Sequence, residues 1–259
     1  MVSSIKKSYL IKFCCRSTVG KVRKDNEDNF YCNGQYRRDV YSLEDEFICG
    51  EVLSDTNELF AVFDGMGGEA CGEIASFIAA SYCELFCKER DKYDEYLYEL
   101  CDILNRRICD ETATRSLVLM GTTAAMIQFN KSDIYILNIG DSRIYKFSRH
   151  KLKRISEDHV AYGYSSKPPL TRFLGSPYSE EKPIKPYIAM GKYKVSDIFM
   201  LCSDGITDML SEEEIERIID QKKPLEELSE ELINAAMDNG GVDNATVILC
   251  KIENNKKHR

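Results

Sequence analysis

The stretch that most constrains the fold is Leu59–Gly65, an apolar run that ends in an acidic residue and a glycine. Leu59–Phe63 is uninterrupted and apolar, which indicates a strand buried on both faces. Asp64 follows directly, so its carboxylate would be held rigidly at the end of that strand. Three glycines within the next four residues would let the backbone turn sharply. Asp and Gly are also common turn formers, so this segment alone is equally compatible with an ordinary strand–turn–helix connection.

Length, composition and charge limit what this chain can be. Its 259 residues are 43% hydrophobic and 30% charged, values typical of a folded, water-soluble protein of one large domain or two. The formal net charge is −8. Nucleic acids and anionic membranes favour a basic protein face, so we expect neither as a partner, whereas divalent cations are compatible with an acidic chain.

Eleven cysteines and three histidines are a further constraint. Met1–Arg16 has only a short apolar patch, and no stretch approaches the roughly 20 apolar residues that span a bilayer. We therefore expect no signal peptide, a cytoplasmic protein and reduced thiols. No Cys-x-x-Cys pair occurs, which argues against a cysteine zinc site, and most cysteines are interpreted as small core residues.

The order of predicted elements favours antiparallel sheets packed against helix pairs over alternating β-α units. Strands are predicted at Tyr9–Cys15, Asn29–Asn33, Phe47–Leu53, Leu59–Phe63, Gly121–Phe129, Asp133–Ile139, Arg143–Ser148, Asp197–Ser203 and Ala245–Ile252. Helices are predicted at Gly72–Lys88, at Asp91–Arg115, after a capping box that begins at Ser211, and at Pro224–Asn239. Residues 156–190 hold most of the prolines and are predicted to form a long surface loop.

Several carboxylates share one kind of context, next to the ends of apolar runs. They are Glu27, Asp28, Asp64, Asp141, Asp204 and Asp243. Acidic groups gathered at one sheet edge repel each other unless cations lie between them. Ligand sets made only of oxygen select hard ions such as Mg²⁺ or Mn²⁺, and two such ions can support hydrolysis at phosphorus. Arg23 would offer a planar fork for phosphate oxygens. Scattered turn carboxylates remain the alternative at this point.

Six short motifs carry a resemblance to a known family. They are Arg23-x-x-Asn26-Glu27-Asp28, Phe63-Asp64-Gly65-Met66-Gly67-Gly68, Gly121-Thr122-Thr123, Asn138-Ile-Gly140-Asp141-Ser142-Arg143, Cys202-Ser203-Asp204-Gly205-Ile-Thr-Asp208 and Asp243-Asn244-Ala-Thr246-Val-Ile. In this order they resemble the motif set of the PP2C-type, metal-dependent serine/threonine protein phosphatases (the PPM family), with bacterial-like features. The resemblance covers about residues 9–252. One motif alone is weak evidence, whereas six in the family's order are specific.

The resemblance implies the fold and the domain organisation. The expected fold is α+β, a four-layer α-β-β-α sandwich in which two antiparallel sheets are flanked by helix pairs. Residues 1–259 would form a single domain, with a core at 9–252 and a charged tail at 253–259. Two Mg²⁺ or Mn²⁺ ions would be bound at one end of the sandwich.

The resemblance also assigns the metal ligands by position. Asp64 would bridge both ions, and the carbonyl oxygen of Gly65 would bind one of them. Asp204 and Asp243 would complete the other site. Glu27 would act through ordered water.

Further roles follow from the same resemblance. Arg23 would clamp the phosphate, so that Arg23 and Asp64 are the expected catalytic residues. Asp141 matches the family's ligand for a third, weaker ion, shared with Asp204. The attacking group would be the water that bridges the metals, so we expect no phosphoenzyme.

Two departures from the family pattern bear on protonation of the leaving group and on substrate choice, respectively. Some members have a histidine after the Asp-Gly pair as a proposed general acid, and this chain has Met66 there, as many bacterial members do. Bacterial members often have a longer flap near residues 160–169, and the short segment here predicts a more open substrate face.

The expected function is metal-dependent hydrolysis of phosphoserine and phosphothreonine in proteins, with substrates supplied by a serine/threonine kinase and the enzyme a monomer. The alternatives are a catalytically weak pseudophosphatase that binds phosphorylated partners, and a phosphatase for small-molecule phosphates. A cysteine phosphatase is disfavoured, although Cys-x₅-Arg occurs at Cys32, Cys101 and Cys109, because no anion nest accompanies these residues.

Other polar residues are expected to have structural roles. We expect Asp208 to support the site or begin a helix rather than bind metal directly. Thr122 and Thr123 are expected to form hydrogen bonds within the sheet. His159 is expected to be a loop residue rather than a cleft residue.

Overall fold

The structure is a computed structural model that describes residues 8–66, 71–86, 94–164, 167–177 and 183–255. Gly67, Gly68 and most of the predicted charged tail lie outside these ranges, as does the end of the helix predicted at Gly72–Lys88. Among the described residues, no helix combines the length and apolar character needed to cross a bilayer.

The described residues form twelve strands and five helices. The strands are β1 (Tyr9–Thr18), β2 (Asp28–Cys32), β3 (Glu46–Leu53), β4 (Leu59–Met66), β5 (Gly121–Thr122), β6 (Ala124–Asn130), β7 (Asp133–Ile139), β8 (Arg143–Ser148), β9 (Lys151–Arg154), β10 (Tyr187–Lys192), β11 (Ile198–Cys202) and β12 (Ala245–Asn254). The helices are α1 (Gly72–Phe86), α2 (Asp94–Thr114), α3 (Asp204–Thr207), α4 (Glu212–Ile219) and α5 (Leu225–Asp238).

The strands form two antiparallel sheets. The first has the order β3-β1-β12-β11-β8-β9, and the second has the order β10-β7-β6-β4-β2, with the short β5 paired to β4. One apolar cluster lies between the sheets, a second joins α1 and α2 to the second sheet, and a third joins α4 and α5 to the first sheet. The predicted α+β, four-layer α-β-β-α sandwich is confirmed.

Aromatic side chains fill the layer between the sheets. Phe129 packs edge to face against Phe60 at 5.8 Å and against Phe199 at 5.5 Å between ring centroids, and these three rings are fully buried. Edge-to-face pairs at this spacing add to the free energy gained by burying the rings. The layer fixes the two sheets relative to each other, and hence the loops at their shared end.

The structure differs from the predicted elements mainly at exposed edges. The predicted loop 156–190 contains the beginning of β10, and β9 was not predicted at all. Both are edge strands, and β9 reads Lys-Leu-Lys-Arg with three exposed side chains, so no apolar alternation marks it. The expected end of the fourth strand at Phe63 is also too early, because Gly65 and Met66 pair with β5.

The segment between β2 and β3 is held by a buried arginine. Arg37 is 1% exposed, and its guanidinium donates hydrogen bonds to four carbonyl oxygens. Two acceptors lie at the beginning of β2 and two lie in the loop itself: Asn26, Asp28, Val40 and Ser42. The loop is therefore fastened to the strand that carries the Glu27–Asp28 motif.

The expectation that all thiols are reduced is wrong at one pair. Cys14 and Cys49 lie opposite each other on β1 and β3, with Cα atoms 4.2 Å apart, and a disulfide joins them. Close opposite positions in an antiparallel pair bring two sulfur atoms within bonding reach. Most other described cysteines are buried and free, as predicted for small core residues.

Candidate active site

A cleft of about 430 Å³ opens at one end of the sandwich. Every predicted site residue lines it: Arg23, Glu27, Asp64, Gly65, Asp141, Asp204 and Asp243. Met66, Thr123, Lys167, Pro168 and Leu170 complete the lining. The structure therefore brings together carboxylates that lie up to 216 residues apart in the chain (Glu27 to Asp243, 243 − 27). Scattered turn carboxylates would not share one cleft.

Asp64 is fixed by two threonines on the neighbouring strand. Its backbone N–H donates to the Thr123 hydroxyl at 3.0 Å. Its carbonyl oxygen accepts from the Thr122 hydroxyl and from the Thr123 backbone N–H, both at 2.9 Å. These bonds saturate the Asp64 backbone, so its carboxylate projects from a rigid strand. The predicted role of Thr122 and Thr123 within the sheet agrees with this geometry.

Gly65 lies where two other backbone segments approach it closely. Its N–H donates to the Glu27 carbonyl oxygen at 3.2 Å, and an added Cβ would overlap the carbonyl oxygens of Gly72 and Glu27. Only glycine allows this approach. As a result, β4, the beginning of α1 and the Glu27 loop meet at one point.

Asp204 begins the short helix α3 directly after β11 and is 7% exposed. Gly205 lets α3 pack against the beginning of β12, because a Cβ at this position would overlap the carbonyl oxygen of Asn244. The carboxylates of Asp204 and Asp243 are thereby held at adjacent ends of neighbouring strands.

Asn244 ties the Arg23–Glu27 loop to the beginning of β12. Its Oδ1 accepts from the Glu27 N–H at 2.8 Å, and its Nδ2 donates to the carbonyl oxygens of Val19 and Asp25 at 2.9 and 2.8 Å. Within the same loop, Arg23 donates to Asp243 Oδ2 at 2.8 Å. The loop is therefore positioned by Asn244 and reaches the cleft through Arg23.

Asp28 lies beneath the cleft and links the two sheets. Its Oδ2 accepts from the hydroxyls of Ser203 and Thr246, both at 2.7 Å, whereas its buried Oδ1 has no hydrogen-bond partner among the described residues. Burial raises the pKa of Asp28 to about 7, although the two hydroxyls oppose that rise. A buried carboxylate oxygen without a donor is one that a cation above it would stabilise.

Asp141 follows a tight turn at the end of β7. Gly140 has a φ of +98°, and a Cβ there would overlap the Thr123 side chain. Burial, followed by the charge of Asp204, raises the pKa of Asp141 to about 7. Asp141 thus lines the same cleft as Asp204, and its charge interacts with that of Asp204.

His159 supports that turn instead of lining the cleft. It is 4% exposed, its Nδ1 accepts from the Gly140 N–H at 3.2 Å, and its own N–H donates to the Gly140 carbonyl oxygen at 2.9 Å. It is therefore a buried loop residue and stays out of the cleft, as expected.

Lys167 places a positive charge among the acidic groups. Its Nζ forms ion pairs with Asp204, with Asp208 Oδ2 at 3.2 Å and, at the limit of such contacts, with Asp243 Oδ2 at 4.0 Å. Asp208 is the more exposed partner, with 44% of its side chain accessible. The short segment that was expected to leave the substrate face open therefore contributes directly to the cleft.

The donor set of the cleft fits a hard divalent cation. Burial raises the pKa of Asp64 well above its ordinary value, and the charges of Asp204 and Asp28 raise it further. Burial also raises the pKa of Glu27 and of Asp204, although the Lys167 ammonium opposes the rise at Asp204. Oxygen ligands that are destabilised as anions by burial and mutual repulsion gain most from a bound cation of high charge.

Lys167 pairs with Asp204, Asp208 and Asp243 on one side of the cleft, and the cleft carboxylates do not meet at a single point. Within the described ranges, the one triplet of ligand-type side chains whose atoms all lie within 4.8 Å of each other is Cys14, Cys49 and Glu226, on a different surface. A disulfide already joins those two cysteines, so neither offers a thiolate ligand.

The cysteine alternative finds no support in the structure. Cys101 is fully buried on the apolar face of α2, and burial raises the pKa of its thiol and of the Cys109 thiol. Cys32 is also buried, in the core between the sheets. None of these three thiols lines the acidic cleft.

Two contributors to the site, Asn244 and Lys167, were not singled out from the sequence, and Asp28 was named among the carboxylates without a role of its own. Asn244 lies inside a motif next to Asp243, and this adjacency was the available signal. Lys167 lies in a proline-rich segment without periodicity, so no pattern marked it.

Comparisons with known proteins agree with the geometry. Residues 35–244 match the family described as Protein phosphatase 2C. The Serine/threonine phosphatase stp of Listeria monocytogenes serotype 4b (strain F2365) is 29% identical over 266 residues, which cover 94% of this chain and 97% of that protein.

Solved structures show the same fold. The serine/threonine phosphatase PstP/Ppp of Mycobacterium tuberculosis superposes with a TM-score of 0.77 at 26% identity, covering 94% of this chain and 99% of that one. The catalytic domain of PstP in complex with 2 manganese ions gives a TM-score of 0.76 at 26% identity, covering 95% and 100%. The resemblance drawn from the six motifs is confirmed, and since the family match spans well over half of the residues, this chain belongs to the protein phosphatase 2C family.

Proposed function

We propose that this chain is a Mg²⁺- or Mn²⁺-dependent protein phosphatase that hydrolyses phosphoserine and phosphothreonine in proteins. The observation that carries the proposal is the shared cleft lined by Arg23, Asp64, Asp204 and Asp243. Relatives named serine/threonine phosphatases, over almost the full length of the chain, support the same reaction.

Two ions would be held by the residues that line the cleft, as the related PstP domain holds two manganese ions. We assign Asp64 to both ions, the Gly65 carbonyl oxygen to one, and Asp204 and Asp243 to the other, with Glu27 acting through water. Bound ions of this kind would activate water for attack and stabilise charge on the phosphoryl oxygens. A third, weaker ion would be shared by Asp141 and Asp204.

The chain's own groups bind and orient the substrate. Arg23 is half-exposed at the edge of the cleft, so its guanidinium can turn from Asp243 towards a phosphate and bind two of its oxygens. Asp64 is immobilised by Thr122 and Thr123, so little reorganisation is needed at the reacting centre. Met66 has no proton to give, so the leaving serine or threonine oxygen would be protonated by water or stabilised by metal.

The remaining proposals concern the setting of the enzyme. Its partners would be proteins phosphorylated by a serine/threonine kinase. We propose a cytoplasmic monomer that folds as a single domain with its core at residues 9–252. The pseudophosphatase alternative has no support in the comparisons, because the relatives reported above are named phosphatases.

A metal-titrated assay with matched variants tests the proposal. Purified protein is given a phosphothreonine peptide with MnCl₂ or EDTA, beside Asp204→Asn and the control Asp238→Asn, an exposed carboxylate at the end of α5. We expect EDTA and Asp204→Asn each to reduce turnover at least about 100-fold, and Asp238→Asn to leave it unchanged. Hydrolysis that survives both EDTA and Asp204→Asn would refute the assignment. Binding of the phosphothreonine peptide without turnover at saturating Mn²⁺ would favour the pseudophosphatase. Faster hydrolysis of small phosphate esters than of the peptide would favour a phosphatase for small-molecule phosphates.

A further inference from the structure

Lys167 reaches into the cleft from a segment whose base is well fixed. Val160 and Leu170 form an isolated β-bridge, Ala161 N–H donates to the Pro169 carbonyl oxygen at 3.0 Å, and Thr171 N–H donates to the His159 carbonyl oxygen at 2.8 Å. Backbone pairing therefore fixes the base of the segment that carries Lys167, while the long side chain of Lys167 remains half-exposed.

The ammonium group uses the oxygens that a metal ion needs. Its closest partner is Asp204, and Asp243 Oδ2 lies at 4.0 Å, so it approaches both carboxylates assigned to one ion. Because two cations in contact with the same carboxylate oxygens repel each other, the ammonium and the ion exclude one another there.

The contact is also one-sided. Among the described residues, Lys167 forms ion pairs with Asp204, Asp208 and Asp243, whereas Asp64 acts on it only through a longer-range charge interaction. Competition by Lys167 should therefore weaken binding of the ion at Asp204 and Asp243 more than binding of the ion at Asp64 and Gly65.

We propose that Lys167 is a tethered competitor of the metal ion, a cation of the chain itself that occupies Asp204 and Asp243 when divalent metal is scarce. A divalent ion carries twice the charge and gathers about six ligands, so it displaces the ammonium once its concentration is high enough. The Lys167 side chain thus sets the divalent-metal concentration at which an ion binds at Asp204 and Asp243. This inference rests on the metal assignment made under the proposed function.

Direct metal binding tests the proposal without reference to turnover. Mn²⁺ is titrated by calorimetry into chelator-stripped wild type, Lys167→Met, Lys167→Gln and Lys167→Arg. The control is Lys185→Met, an exposed lysine in the same part of the chain. We expect the weaker Mn²⁺ dissociation constant to fall about five- to tenfold in Lys167→Met and Lys167→Gln, to stay within about twofold in Lys167→Arg, and not to change in Lys185→Met.

Thermal unfolding gives a second, independent measurement. Without Lys167 the carboxylates repel each other, so Lys167→Met should melt below wild type in EDTA and should gain more from saturating Mn²⁺. Unchanged or weaker Mn²⁺ binding in both Lys167→Met and Lys167→Gln overturns this inference and leaves the proposed function standing. Failure of wild type to bind Mn²⁺ at millimolar concentration overturns both.

Discussion

Asp28 and Asp64 lie directly opposite each other on the adjacent strands β2 and β4. Asp28 is fully buried and Asp64 is partly buried, and among the described residues neither has a cationic partner as close as Lys167 is to Asp204. Two neighbouring carboxyl groups removed from water are costly to ionise together. This pair makes the free energy of unfolding depend on pH and on metal.

The first prediction concerns pH in the presence of EDTA. The pKa of Asp28 is about 7 in the folded chain against about 4 when unfolded, so between these values the folded state holds more protons. The free energy of unfolding should therefore fall as pH rises from 5 to 8, by about 2–3 kcal/mol from Asp28 alone. Urea unfolding at several pH values measures this slope.

Saturating Mn²⁺ should remove most of that slope, because the cation favours the ionised carboxylates. Asp28→Asn should also flatten it in EDTA, since the amide does not titrate. A free energy of unfolding that is constant, or rises, over this pH range in EDTA would contradict the picture of a strained acidic cluster.

A second prediction concerns Asn244, which holds the Arg23–Glu27 loop through three hydrogen bonds. Asn244→Ala should lower the free energy of unfolding by about 2–4 kcal/mol and weaken Mn²⁺ binding, because the loop and Asp243 lose their common anchor. Asn239→Ala is the control, since Asn239 makes one exposed side-chain bond, to the Met209 carbonyl oxygen. If both variants lose the same small amount, Asn244 has no positioning role.

A third prediction concerns Gly205. Gly205→Ala should destabilise the fold by at least about 3 kcal/mol or prevent folding, because the new Cβ overlaps the Asn244 carbonyl oxygen. Gly191→Ala is the matched change, since its Cβ would meet only the Ile134 side chain at 3.3 Å on an edge strand. Chemical denaturation of both variants measures the difference, and equal stability would show that α3 does not pack as described.

A fourth prediction concerns the buried Arg37. Arg37→Met should lower the free energy of unfolding by about 3 kcal/mol, because the carbonyl oxygens that it satisfies lose their donor. Arg38→Met changes an exposed neighbour and should cost less than about 0.5 kcal/mol. Thermal melts of the two variants check this, and a stable Arg37→Met protein would mean that water replaces the guanidinium.

The regular elements were predictable where burial follows a period. Leu97, Leu100, Leu104 and Ile108 of α2 repeat at helical spacing, and all are fully buried. Exposed edge strands such as β9 were missed, because hydrogen bonding to a neighbour, and not apolar alternation, makes them strands.

The position of the candidate site was predictable because its carboxylates stand beside apolar runs at strand ends, and strand ends of one sandwich meet at its edges. Asp64 and Asp204 follow that rule. Lys167 does not, because its place depends on how a loop without sequence period folds back across the sandwich, which is decided by contacts distant in the chain.

The hydroxyls of Ser203 and Thr246, from the first sheet, donate hydrogen bonds to Asp28 on the second sheet. The acidic residues of the cleft above them also come from both sheets. An ion held between Asp64 and Asp204 would consequently link the two sheets of the sandwich. The ligands assigned to the ion at Asp64, Asp204 and Asp243 lie on both sides of a cut between β7 and β8, so the separated fragments should bind that ion only when they reassemble. Separation of the two sheets and loss of the bound ion would then occur together.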